Sequence, residues 1–104
     1  MKTLAILTRR QDADTDAFER LGEFETQAVW RGMAAGTVRA VHGLAEVSGA
    51  ALELKTGSAE EARAFVNALP FVAENLLHVQ MVPLEPFPAF AALVSNAAFH
   101  REHN

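Results

Sequence analysis

Four side chains of this 104-residue sequence have types and settings suited to acid–base or anion chemistry: Glu25, Arg39, His42 and His78. Glu23 and Glu25 lie two apart in a helical pattern, where side chains diverge by about 200°, so they cannot act as a carboxylate pair. Glu25 instead shares an inward stripe with Leu21, Ala28 and Gly32 at spacings of four, three and four. A carboxylate desolvated there has a raised pKa and can take a proton from a carbon beside a carbonyl. The plainer alternative is a boundary carboxylate, paired with arginine or left in water. Arg39, with Trp30 and Arg31, can shape the anion-binding end of a pocket, Arg39 gripping a carboxylate through two parallel N–H donors. Otherwise Trp30 is packing and both arginines are surface or interface residues. His42 and His78 sit in strand-like runs and can move protons near neutral pH, although a lone strand histidine is more often structural. His78 with Glu53 forms a candidate acid–base dyad, provided that the strand register brings them together.

His100 and His103, in "FHREHN", are three apart and could both touch one metal. Two ligands on a tail make a weak site, and a solvated end is expected instead. No other spacing suits a metal, and the six glycines are scattered rather than gathered into a phosphate loop. No cofactor and no metal are expected.

A small set of elements must position these residues. "TLAILT" (3–8) reads as a first strand, and Asp16 with Glu19 fits a capping box for a helix over 17–35. Leu21, Phe24 and Ala28 mark its inward stripe, and Gly36 suits the left-handed residue that closes such a helix. "TVRAVHGLAEV" (37–47) and "AALELKT" (50–56), joined by "SG", form a hairpin. Ser58 and Glu61 cap a second helix whose stripe is Ala62, Phe65, Val66 and Leu69, and Pro70 ends it. "LLHVQMVPL" (76–84) is the last strand. The order βαββαβ puts both helices on one face of an antiparallel sheet, an α+β ferredoxin-like plait. Residues 1–104 read as one such domain, with 85–104 as a C-terminal extension.

Alternation splits the strands into two faces. Leu4, Ile6, Leu52, Leu54, Leu77, Val79 and Met81 form a wholly apolar set, expected under the helices. Thr3, Ala5, Leu7, Ala51, Glu53, Lys55, His78, Gln80 and Val82 form a mixed set. The second strand offers either Arg39 and Val41 or Val38, Ala40 and His42, and the pattern leaves both open. A mixed face suits packing of two copies sheet to sheet around a pocket for a small molecule; the alternative is a solvated sheet face with scattered apolar residues. The tail carries Phe87, Phe90, Leu93, Val94 and Phe99, which need a cover: either packing on the chain's own helices or a clasp across a partner subunit would supply one.

Composition narrows the classes further. The sequence lacks cysteine, which excludes disulfides and thiolate chemistry, and "LAIL" is too short an apolar run for a secretory or membrane segment. A cytoplasmic protein is expected. The formal charge of −4, without a Lys/Arg cluster beyond Arg9 and Arg10, disfavours nucleic acid.

"ALPFVAENLLHVQMVPLEPFP" resembles the C-terminal segment of the muconolactone isomerase family, where an LP after the second helix leads to a strand ending PL and a proline-containing tail. "VWRGMAAGTVRAV", "SGAALELKT" and "SAEEARAFVNALP" extend the resemblance over roughly residues 2–88. The chain is also similar to the wider YCII-like set of dimeric α+β barrel proteins, although "LAILT" lacks their His–Asp pair. The resemblance implies a dimeric α+β barrel, a homodimer or a larger homo-oligomer. It also implies a ligand that is small and acidic or carbonyl-bearing. Of the isomerases' site segment in the second strand, Arg39 is the residue that matches. The activity implied is cofactor-free isomerisation or proton transfer on a small carboxylate or lactone; a non-catalytic binding or structural barrel is the alternative.

Overall fold

The computed structural model describes residues 1–102, with side chains through Ser95. The His100–His103 pair and Phe99 lie outside the side chains described. Four strands, β1 (Lys2–Arg9), β2 (Val38–Gly43), β3 (Gly49–Lys55) and β4 (Leu77–Leu84), form one antiparallel sheet in the order β2-β3-β1-β4. Helices α1 (Thr15–Ala34) and α2 (Ala59–Asn67) cover one face, joined by a single turn, α3 (Pro70–Ala73). A last helix, α4 (Pro88–Glu102), follows β4. This is the expected ferredoxin-like α+β plait.

Both long helices begin on a side-chain cap. Ser58 Oγ accepts from the Glu61 amide at 3.1 Å, while the Glu61 carboxylate reaches back to the Gly57 amide at 2.9 Å. For α1 the expected cap was one turn-half too late. Asp14, not Asp16, is the cap, accepting from the Asp16 amide at 3.0 Å. Starting at Thr15 leaves Asp16 in the first turn, where the helix dipole favours an acid, and sets Ala17 inside the core. The α1 terminus follows expectation. Gly36 takes φ 83°, Thr37 donates to the Gly32 carbonyl and Gly36 to that of Met33, a Schellman closure. Gly32 is also where α1 crosses closest: a Cβ there would stand 2.6 Å from Phe65 Cζ and 2.8 Å from Val38 Cγ2.

The core lies between helices and sheet: Ala5, Leu7, Val38, Leu52, Leu54, Ala62, Val66 and Leu69. In β1 this reverses the expected facing. Thr3, Ala5 and Leu7 point to the helices, and Leu4 and Ile6 point away. Register explains it: Ala5 lies opposite Leu52 and Met81, and Leu4 opposite Glu53 and Val82, so β1 must side with its neighbours. Being apolar on both faces, β1 could not reveal this alone. In β2 the structure takes neither expected set. A bulge between Val38 and Ala40 sets Val38 and Val41 both on the helix side, and Ala40 and His42 on the other.

The open face therefore carries Leu4, Ile6 and Val82, flanked by His42, Ala51, Glu53, His78 and Gln80. It remains a mixture of apolar and polar. Helix α4 makes no substantial packing contact with another element among the described residues, and the chain measures 66 Å along its longest axis. Its radius of gyration is 18.1 Å, against about 13 Å for a compact domain of this length. Phe87 and Phe90 stack edge to face at 5.0 Å, yet stay 61% and 62% exposed. No helix among the described residues is long and apolar enough to cross a membrane.

Candidate functional site

A cavity of about 470 Å³ opens between α1 and the β1–β3 end of the sheet. Leu7 and Leu52 form its floor, Val29, Trp30 and Met33 one wall, and Phe18 with Phe71 another. The volume falls in the usual range for small-molecule sites, which are mostly apolar with a few placed polar groups. Here those groups are Glu25, Thr26 and Ser48, and Glu25 is the one titratable side chain among the lining residues.

Glu25 arrives at this wall because α1 is rolled toward its Phe18–Glu25–Val29 side, all three half-buried. That roll also corrects the expectation for Phe24, which lies on the outer flank of α1 and is 60% exposed. Pro70 then starts α3 with fixed φ, and α3 has no side-chain cap of its own. The Glu25 carboxylate fills that role from across the fold, accepting from the Phe71 amide at 3.0 Å. Phe71 also packs edge to face on Phe18 at 4.9 Å. Burial pushes the Glu25 carboxyl above its ordinary value, and the Phe71 amide pulls the other way with less effect. A half-buried carboxylate made more basic by burial, on the wall of an apolar chamber, is the arrangement a general base for carbon acids needs.

The other candidates lie elsewhere. Arg39 sits at the β2 bulge on the sheet edge, its Nε donating to the Gly36 carbonyl at 3.0 Å, and does not line the cavity. His42 and His78 are exposed on the open face, on the far side of the sheet from Glu25. The expected His78–Glu53 dyad does not form. His78 lies opposite Thr8 and Glu53 opposite Leu4, four residues apart along β1 and on either side of it. Glu53 is held instead by Lys2 at 3.1 Å. Trp30, expected at one end of a pocket, does line the cavity and is 67% exposed.

Phe18 and Phe71 went unnoticed in the sequence as site residues. The usable signals were Phe18 seven residues before Glu25, two turns along the same side, and Phe71 directly after the helix-stopping Pro70.

No protein-family model and no curated relative matches the sequence. Several solved structures share the fold, including two enzymes. One is a muconolactone isomerase, with 19% identity and a TM-score of 0.72, covering 85% of this chain and 92% of the other. The second is the 5-chloro-2-hydroxyhydroquinone dehydrochlorinase TftG from Burkholderia phenoliruptrix AC1100, in complex with 2,5-dihydroxybenzoquinone. It has 13% identity and a TM-score of 0.70, covering 86% of this chain and 98% of that one. The fold-level resemblance to muconolactone isomerases is thus borne out.

Proposed function

We propose that the chamber beside α1 takes a small ring-bearing molecule with a carbonyl or carboxylate, and that Glu25 moves a proton on it. The observation that carries this reading is the half-buried Glu25 carboxyl, raised in pKa, on the wall of an apolar cavity. One base is enough for an isomerisation. Glu25 removes a proton from the carbon beside the carbonyl, and the C–H electron pair enters the ring as an enolate. The same carboxyl returns the proton to another ring carbon, so the double bond shifts and no electrons are gained or lost. The names of the two similar structures, an isomerase of a lactone and a dehydrochlorinase of a hydroxyhydroquinone, support small oxygenated rings as first ligands to test.

His42 and His78 belong, in this reading, to an interface between two copies packed sheet to sheet. Leu4, Ile6 and Val82 supply its apolar centre, and α4 clasps the partner. A non-catalytic binding protein is the second reading. It is favoured by the hydrogen bond from Phe71, which gives Glu25 a structural use without chemistry.

The test is titration with muconolactone-type lactones and 2,5-dihydroxybenzoquinone, following binding and turnover together. Turnover that falls by about 10²–10⁴ in Glu25→Gln supports the enzyme. Binding without turnover in the parent protein supports the second reading, and absence of binding rejects both.

A further inference from the structure

The helix-facing row of β1 does not stop at the cavity floor. Thr3, Ala5 and Leu7 alternate toward the helices, and the next residue on that side is Arg9, opposite Leu77, which also lines the chamber. The Arg9 guanidinium stacks over the Phe18 ring at 4.5 Å from its centroid. Phe18 is itself cavity wall, packed on Phe71, whose amide holds Glu25. One Arg9 nitrogen donates to Thr15 Oγ1 at 3.0 Å, and its backbone amide donates to the Ser48 carbonyl at 3.0 Å. Ser48 is shared between the chamber and a second, more open hollow of about 400 Å³ lined by Thr8, Arg9, Arg10, Gln11 and Val47. Arg10 is paired with Asp12 at 3.3 Å, whereas Arg9 makes no ion pair among the described residues.

We propose that Arg9 is the anion-selecting residue of this site, holding an oxyanion of the ligand at the chamber mouth while the ring lies inside toward Glu25. The inference rests on the reading of the chamber as a ligand site and adds the residue that sets its preference. Stacking on Phe18 and the bond to Thr15 fix the guanidinium plane, so little freedom is lost when its remaining N–H donors meet a carboxylate. Arg9 is exposed, so the anion keeps part of its hydration, and the apolar ring supplies the burial. The position also separates the two carboxylates: that of the ligand outside, and that of Glu25 on the inner wall. Arg39, assigned the anion grip on sequence grounds, has no part in it.

Trp30, the single tryptophan, lines the cavity and gives a local fluorescence readout. Benzoate and benzamide, nearly the same in shape and different in charge, are titrated into the parent protein, Arg9→Ala and Arg63→Ala. Arg63 lies exposed on α2 and controls for net charge. The parent and Arg63→Ala are expected to bind benzoate at least about 10-fold tighter than benzamide, and added salt narrows the gap. In Arg9→Ala that preference collapses to about one, while benzamide affinity stays within about threefold. Should Arg9→Ala not fold, as judged by circular dichroism, Arg9→Gln keeps a stacked amide and gives the same readout. An unchanged preference in the variant overturns the inference. So does equal weakening of both ligands, which means that Arg9 only supports Phe18. If the parent binds neither ligand, the chamber reading itself fails and takes the inference with it.

Discussion

Glu25 has two partners with opposite demands, and the balance between them sets how its variants behave. Burial favours its neutral form and the Phe71 amide its charged form, and burial wins. The folded chain therefore holds this proton more tightly than the unfolded chain does. The stability so gained is fully present below the ordinary carboxylate value and is lost as pH rises through the raised folded value. Glu25→Gln keeps an oxygen for the Phe71 amide but has no charge to desolvate. Its denaturation midpoint is expected to equal or exceed that of the parent at pH 8, with the advantage shrinking by pH 4. An advantage that grows on acidification contradicts the burial argument. Glu25→Ala leaves the Phe71 amide without its acceptor and is expected to lower stability by about 1–3 kcal/mol in the same measurement. The inward position of Glu25 was legible from its spacing to Leu21 and Ala28, because helix periodicity alone decides it. Its bond to Phe71, 46 residues away, was not, since no local pattern encodes which carboxylate will cap α3.

Strands β1 and β2 are where local pattern and fold part company. β1 is apolar at Leu4 and Ile6 and also at Ala5 and Leu7, so either side could face the core. Only pairing with Leu52 and Met81 selects the second. Thr3 goes inward as a result. It is 2% exposed, and its hydroxyl finds no hydrogen-bond partner among the described residues. Thr3→Val is expected to raise stability by about 1 kcal/mol in chemical denaturation; a loss of that size would mean that the hydroxyl is satisfied after all. In β2 the bulge at Arg39 breaks the period of two, which is why neither alternating set fitted. The β1–β3 ladder is tight at Gly49, where an added Cβ would run into the Leu7 carbonyl oxygen. Gly49→Ala is expected to destabilise by about 1–3 kcal/mol and to weaken ligand binding as well, since Gly49 and Leu7 both border the cavity. Loss of stability with unchanged binding would detach the ladder from the site. The hairpin, the Ser58 cap and the Gly36 closure could all be read in advance because each is fixed within a few residues.

At the scale of the whole molecule, an open sheet face with Leu4, Ile6 and Val82 and a projecting α4 both lack a cover among the described residues, and a second copy can supply each with one. Val82→Asp puts a charge among the apolar residues of that face, beside Leu4, while leaving the core untouched. It is expected to yield monomers in sedimentation, and a mass that stays at the parent's oligomer would count against sheet-to-sheet pairing. The corresponding change at Leu7 would be uninformative, because Leu7 is 2% exposed in the core and aspartate there would unfold the chain. Whether chemistry happens beneath α1 or between two sheets is the question on which the functional account turns. A structure determined with a bound lactone or dihydroxybenzoquinone answers it directly. The account predicts the ring in the α1–sheet chamber, with a carbon about 3–3.5 Å from the Glu25 carboxylate and its oxyanion at Arg9. A ligand lodged between the open faces of two copies, against His42 and His78, with the chamber empty, would contradict it.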